Sequence, residues 1–534
     1  MNDKVIAKPS KNQIAWHERE RIMFVCLDPA TWQGREYDNH STPLYEINPS
    51  KLNTDQWCEA AVSWGAKTIL FVAKHTGGFC WWHTDTSEYG IKETPYKNGK
   101  GDVLKEVSES CKKFGLSLAV YVYPGDDNWE AYIGGGGRTK DPSKQEEYNG
   151  VYRQQLTEVL TKYGDISEVW FDGSIIIPVS DILHKYAPNA VFFQGPNADI
   201  RWAGTEAGEV PYPTTCAINS ETLKTGVSTA ANGNVDGDIW APVEVNTTLY
   251  DHFWFWAKDK EKKRKSLDRL MECYYKSVGR GLVFLLNSTP NTSGLIPDND
   301  MCLYKQFGDE IKRRFDNPVA NVSNCLTLKF DKTNVNHIII EEDYTEGERV
   351  RAFTLKAKTK NGYKEIYKGS IIGRKHIAVF NNIVTDEITL QIDEEVLPHI
   401  IKKISAYNVT EVNISKLIKQ LSAGIELCDA FKEQTVCKWS KKSFALGRAE
   451  IDLTKHITMA GEYLVDFNCK NPFDLIHCEG LMDGNICDNT VNYIGNGQFR
   501  IRRTAATTDE TSTKLIIHAK PKFGKFGKVK IKMI

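Results

Sequence analysis

The sequence predicts an α/β fold, a TIM-like (β/α) barrel over residues 1–318, followed by two all-β sandwiches over 319–425 and 426–534. Three observations carry this. Up to about residue 318 short apolar strands alternate with helical stretches, the rhythm of a parallel sheet buried on both faces. That rhythm lasts some three hundred residues without a glycine-rich phosphate fingerprint after the first strand, which favours a barrel over a nucleotide-binding doubly wound sheet. Beyond about Asn317 the helices give way to short alternating strands separated by turn residues.

Taken in order, TILFVAKH (68–75) reads as a buried strand. GDVLKEVSESCKKFG (101–115) has helical spacing and a stop at Gly115. SLAVYVYP (117–124) is the next strand, residues 143–164 a long helix ending at Gly164, and SEVWFDG (167–173) a strand again. VSDILHKYAPNA is a helix, AVFFQG (190–195) a strand, DRLMECYYKSVGRG (268–281) a helix and LVFLLN (282–287) a strand. In the β region, CLTLKFD, HIIIEED, VRAFTLKAKTK, HIAVFN and ITLQID build the first sandwich. AEIDL, GEYLVDFNCK, QFRIRRT, KLIIHAKPK and KVKIKMI build the second. The lysine-rich end alternates with apolar residues and reads as a strand with a solvated face.

Composition excludes several partners. Basic and acidic residues number 68 and 69, so no net field favours nucleic acid or an anionic membrane. No stretch approaches the ~18–20 apolar residues of a membrane span. The 13 cysteines are odd in number and lack paired spacing, which predicts buried thiols rather than a disulfide framework or zinc site. No metal or organic cofactor is implied. The opening MNDKVIAKPSKNQIAW has no apolar core of a secretory signal. The expected location is the cytoplasm, or the periplasm or exterior if a leader has been removed. The 13 tryptophans fit a carbohydrate site, where aromatic faces pack on the C–H face of a sugar, and fit packing roles equally.

In such a barrel chemistry sits at the C-terminal ends of strands. Four strand ends here stop on functional residue types: Lys74-His75, Tyr123-Pro124, Asp172-Gly173 and Asn287. An acid closing an apolar aromatic strand must be paired or used. Taken alone, Asp172 is either a helix N-cap or a catalyst.

Five ordered segments change that balance. EVWFDGS (168–174) resembles the nucleophile segment of the α-L-fucosidase family, glycoside hydrolase family 29. AKHTGGFCWWHTDTSEYG (73–90) is similar to its AKHHDGFCLWPS segment, and NGKGDVLKEVSESCKKFGL (98–116) to the helix that follows. SVGRGLVFLLNSTPNTSGLIPDND (277–300) is similar to its last barrel strand. RWAGTEAG (201–208) resembles the RWxGNExG segment of the subfamily favouring α-1,3/1,4 linkages. The resemblance spans nearly all of 10–318 and extends weakly into RVRAFTLKAK and IIGRKHI, where it implies a galactose-binding-like sandwich that packs against the barrel or binds sugar.

Carried over, the resemblance implies Asp172 as nucleophile and Glu206 as acid/base, on a loop free to swing over the site, with Glu209 and Glu244 as alternatives. A retaining glycosidase needs such a pair, about 5–5.5 Å apart, one ionised and one with a raised pKa. Substrate contacts are implied for His75, Glu36, Tyr37, Tyr121, Tyr123, Trp170 and Trp254. His75 also reads as a structural histidine, and Trp170 as packing, although alternation sets it on the face of Asp172. Trp81 and Trp82 are expected to divide between core and pocket rim, and Trp16-His17-Glu18 to anchor the first helix. Two departures bear on recognition. The family's FIHFG appears as FVCLD (24–28), with Cys26 in place of a sugar-binding His, and KHHDGF appears as KHTGGF, with Thr76 and Gly77 in place of His and Asp. The expected activity is therefore exo-hydrolysis of terminal α-L-fucosyl residues. The alternatives are an α-L-galactosidase on algal or plant polysaccharide and a catalytically silent sugar-binding protein. The expected partner is an oligosaccharide or polysaccharide.

Overall fold

The computed structural model describes residues 6–221, 232–422 and 434–533, the last without 441–442, 445–446, 458–460, 470–471, 483–484, 488–490, 504–511 and 523–526. Part of the lysine-rich end therefore lies outside the described residues.

Eight parallel strands form one sheet. They are β1 (Arg21–Val25), β2 (Thr68–Lys74), β3 (Ser117–Val122), β4 (Ile166–Trp170), β5 (Val191–Phe193), β6 (Arg201–Trp202), β7 (Val243–Thr247) and β8 (Val283–Ser288). Their spatial order is β5-β4-β3-β2-β1-β8-β7-β6. A single parallel bridge from Phe193 to Ile200 links β5 to the entry of β6 and brings the ends of the sheet together. The result is the expected barrel, with helices outside.

Local chemistry sets the helix ends. The helix α1 (Lys11–His17) opens on a capping box in which Ser10 and Gln13 satisfy each other's backbone N–H. α2 (Thr54–Ser63) is capped by Asn53. α3 (Val103–Phe114) is capped by Asp102, whose side chain accepts from Lys105 N, and stops where Gly115 turns left-handed at φ 68°. α4 (Gln145–Lys162) and α5 (Ser180–Tyr186) follow. α6 (Leu267–Lys276) is capped by Ser266 and shorter than the sequence rhythm indicates, because Val278–Arg280 forms a 3₁₀ turn. α7 (Asp298–Phe315) closes the barrel layer.

Residues 320–407 form one six-stranded antiparallel sheet: β9 (Ala320–Ser323), β10 (Thr327–Glu342), β11 (Val350–Thr359), β12 (Gly362–Gly369), β13 (His376–Glu395) and β14 (Ile401–Tyr407). The long strands β10 and β13 bend at register shifts. Alternation then serves two cores at once. Ile338, Ile340, Ala378 and Phe380 face the sheet's own apolar cluster, while Ile339, Ile377 and Val379 join the cluster outside the barrel wall. Tyr407, Ile414 and Leu417 join that second cluster too, the latter two from α8 (Ile414–Ser422). This is the geometry of a buttress.

The last hundred residues hold a five-stranded and a four-stranded antiparallel sheet around a shared core that includes Trp439, Phe467, Phe473 and Phe499, a two-layer sandwich. Among the described residues no helix is long and apolar enough to cross a membrane.

Candidate active site

The inside of the barrel is built in layers by alternation. At the C-terminal ends of the strands the uppermost layer lines a cavity of about 790 Å³, open mouth included. Phe24 on β1 and Cys26 just past it, Tyr121 on β3 and Tyr123 just past it, and Trp170 on β4 and Asp172 just past it all line the cavity, each pair two residues apart. β2 departs from this spacing. Its ladder with β3 shifts register between Val72 and Lys74. The bulge turns Lys74 away, where its buried ammonium reaches Asp126 (2.8 Å) and Gln155 (2.9 Å), and turns His75 into the cavity.

Asp172 lies two residues past the end of β4 at Trp170. Tyr121 donates its hydroxyl to Asp172 Oδ2 at 3.0 Å. The next peptide is held as well, since Gly173 N–H donates to the side-chain oxygen of Gln194. Burial pushes the Asp172 pKa up to about 6, against the Tyr121 hydroxyl and the Gly173 N–H, which favour the ionised form. Asp172 caps no helix; the next one, α5, starts at Ser180.

Glu206 enters from the loop after β6, and Trp254 Nε1 donates to its Oε2 at 3.2 Å. Burial pushes Glu206 up to about 7, opposed by that indole and reinforced by the charge of Asp172, with Lys265 pulling down. A third carboxyl, Glu36, accepts the Trp254 backbone N–H at 3.0 Å. Burial raises it to about 8, against that N–H, with Glu206 raising it further and Lys260 lowering it. The loop bearing Glu206 is tied down rather than free to swing. Ala207 bridges Thr247, Gly208 N–H donates to Asn246 O (3.0 Å), and Arg269 donates to Ala207 O (2.7 Å). A side chain at Gly208 would run into Cys273 and Thr247, so glycine lets this loop lie flat on the barrel.

All nine residues singled out from the sequence, Asp172, Glu206, His75, Glu36, Tyr37, Tyr121, Tyr123, Trp170 and Trp254, line this one cavity. His75 is enclosed by Tyr37, Tyr121, Tyr123 and Phe255, with ring centroids 4.9–5.9 Å away. Burial holds its pKa near 3, so it is neutral and can both donate and accept. Trp170 lies flat on Phe193 (3.9 Å, 8°). Tyr123 accepts Gly134 N–H (2.8 Å), which fixes the glycine-rich loop at the rim.

The alternatives for the acid/base fall elsewhere. Glu209 is ion-paired with Lys276 (2.6 Å) and Arg269 (3.4 Å). Glu244 is fully buried within the barrel and does not line the cavity. Trp81 and Trp82 are both core residues, so neither forms the rim. Trp16 anchors α1 as expected, through Glu168 (2.7 Å).

The two departures from the family pattern have distinct consequences. Cys26 and Thr76 line the cavity, placing a thiol and a hydroxyl where imidazoles are expected. Gly77 has a steric cause, because Asp38 occupies the space a side chain there would take. Asp38 is held by Tyr89 Oη (2.7 Å), Gln33 Nε2 (2.7 Å) and His40 N (2.9 Å). Asp38 itself does not line the cavity.

Sequence reasoning missed Phe193, Gln194, Trp202, Asn246 and Phe255, all of which line the cavity. Asn246 lies on β7, whose VEVNT alternates polar and apolar residues and so reads as half-solvated, whereas its polar positions face the barrel interior. Asn246 accepts the Trp202 indole N–H at 2.9 Å, and the Trp in RWAGTEAG was the available signal.

The barrel has relatives among known proteins. The family model described as alpha-L-fucosidase matches residues 16–314, from α1 to the last turn of α7. The chain is 28% identical over 479 residues to Alpha-L-fucosidase 1 of Arabidopsis thaliana, covering 78% of this chain and 92% of the relative. A solved Bacteroides thetaiotaomicron structure described as a candidate alpha-L-fucosidase superposes with a TM-score of 0.71 at 31% identity, covering 76% of this chain and all of that one. A second candidate from Bacteroides ovatus, 26% identical with a TM-score of 0.66, covers 99% of this chain and 95% of its own, the terminal β-sandwich included. With the matched model spanning more than half of the chain and the whole of the barrel that builds the cavity, this protein belongs to the alpha-L-fucosidase family of glycoside hydrolases.

Proposed function

We propose that the chain is an exo-acting α-L-fucosidase that removes terminal α-1,3- or α-1,4-linked L-fucosyl residues with retention of configuration. The observation that carries this reading is the convergence of Asp172 and Glu206 on one aromatic-lined cavity at the C-terminal ends of the barrel strands. Burial raises both acids, Glu206 the further with the help of the Asp172 charge, so the proton is favoured on Glu206 and the charge on Asp172. Asp172 attacks the anomeric carbon, and Glu206 protonates the departing glycosidic oxygen. Water then enters with Glu206 as base and releases the sugar from Asp172. Tyr121 steadies the nucleophile, and the neutral His75 and protonated Glu36 offer hydrogen bonds to sugar hydroxyls. Trp170, Trp202 and Trp254 supply aromatic surface for the apolar face of the ring. The linkage preference rests on RWAGTEAG, which carries Glu206.

The test is hydrolysis of 4-nitrophenyl α-L-fucoside and α-L-galactoside side by side, with the anomer first released read by proton NMR. The expected outcome is a higher kcat/KM for the fucoside and an initial α-anomer. L-Galactose differs by one 6-hydroxyl, so a higher value for the galactoside would reassign the substrate. An initial β-anomer would overturn the double displacement. No turnover of any α-L-glycoside would make the chain a sugar-binding protein.

A further inference from the structure

Directly beneath the pocket two carboxyl groups face each other inside the barrel. Glu168 on β4 and Glu244 on β7 are both fully buried. Each lies two residues before a cavity residue of its own strand, Trp170 and Asn246, so alternation turns both inward one layer below the sugar site. Glu168 accepts two indole N–H groups, Trp16 Nε1 on Oε2 at 2.7 Å and Trp170 Nε1 on Oε1 at 2.9 Å. The Glu244 carboxyl meets that of Glu168, and the Trp170 N–H lies beside both. Neither oxygen of Glu244 receives a well-formed hydrogen bond from any N–H or O–H group among the described residues.

A carboxylate without water or donor, set against a second carboxylate, is untenable, whereas a carboxylic acid in the same place has a natural acceptor. Burial and then the Glu168 charge push Glu244 far above the carboxylate range. Glu168 is raised by burial but favoured as the ion by Glu244, Trp16, Trp170 and the guanidinium of Arg19. The other acid facing it is Asp199, whose side chain accepts the Phe192 N–H at 2.7 Å.

We infer that Glu244 is a carboxylic acid whose O–H donates to an ionised Glu168, and that Glu168, loaded with three donors, is a positioning residue for the Trp170 indole at the floor of the sugar site. The ring is held twice, by its N–H on Glu168 and by its face on Phe193. Neither glutamate reaches the cavity, so neither touches substrate.

The proton is tested without reference to any substrate. The infrared difference spectrum of wild type minus E244Q at neutral pH should contain the carbonyl band of a protonated carboxyl. Its absence would overturn the assignment. The positioning role rests on the proposed function and is tested by kinetics on the α-L-fucoside. The amide introduced by E168Q offers one acceptor oxygen and turns its N–H₂ toward an indole N–H. E168Q should therefore raise KM about tenfold with a smaller change in kcat, and in a W170F background it should add no further loss. E244L should weaken binding in the same way, and E244Q, whose amide can still donate to Glu168, should restore it. An E168Q effect of equal size with and without Trp170, or an E244Q as damaging as E244L, would overturn the positioning role. If no glycoside is turned over, the same comparisons on the Kd for L-fucose by calorimetry decide it, and the kinetic failure belongs to the proposed function.

Discussion

At the N-terminal end of the barrel Glu20 is buried against Arg374 and Lys375 of the turn between β12 and β13, with Arg21 alongside. At the other end Asp172, Glu206 and Glu36 are enclosed by aromatic rings, and among the described residues none of the three forms an ion pair. Burial acts upward on all four carboxyls. Against it, Lys375, Arg374 and Arg21 hold Glu20 well below the usual range, whereas the pocket acids rise to about 6, 7 and 8. The difference lies in the partners. Cations make a buried acid a fastener between two layers, while hydroxyls, indoles and backbone N–H groups leave it able to exchange a proton near neutral pH.

The comparison can be broken most decisively by exchanging the two behaviours. D172N should lower kcat by at least ~10³-fold, since an amide cannot attack the anomeric carbon. E20Q should leave kcat nearly unchanged but cost about 3–5 kcal/mol in urea unfolding, because two buried cations lose their shared partner. Loss of activity in E20Q at full stability would place Glu20 in the chemistry. E206Q should follow at about 10²–10⁴-fold on a natural disaccharide and far less on a 4-nitrophenyl glycoside, whose leaving group needs little protonation.

The pH dependence sharpens the same contrast. The kcat/KM profile should be a narrow bell, with an acid limb near pH 6 as Asp172 gains its proton and a basic limb near pH 7 as Glu206 loses its own. The two ends contribute to stability with opposite pH dependence. The folded pKa of Asp172 lies above its ordinary 3.8, so the associated stability is present below pH 4 and lost as pH rises through about 6. D172N should therefore be more stable than wild type at pH 8, by roughly 1–2 kcal/mol in thermal or urea unfolding. Glu20 has a depressed pKa, and its contribution fades only as the solution turns strongly acidic. The smallest effect expected is that of C26H, which adds a second imidazole to the cavity wall beside that of His75. It should alter KM for the fucoside by less than about tenfold, in either direction, with kcat little changed.

Much of the site was legible because barrel strands have a two-residue period and end in their functional groups. From EVWFDG alone, Trp170 and Asp172 fall on one face, and the ordered segments around them assign the chemistry class. The boundaries of α3 were readable for a similar reason, since Asp102 and Gly115 carry local cap chemistry. β7 was not readable. A strand with Glu244 and Asn246 at alternate positions looks half-solvated when only its own residues are known, and the neighbours that absorb those polar groups, Glu168 and Trp202, lie about forty or more residues away.

By itself, then, the sequence determined the repeating βα architecture, the family resemblance and the identity of the acid that closes β4, all of which follow from local periodicity and short ordered segments. Only the tertiary structure decided that a bulge in β2 sends Lys74 out and His75 in, that Asp38 takes the space beside Gly77, that Glu206 rather than Glu209 or Glu244 reaches the cavity, and that burial raises both Asp172 and Glu206. The physical reason is that a carboxyl's role is set by the donors, charges and water around it, and those neighbours are brought together by the closure of the barrel rather than by the chain on either side.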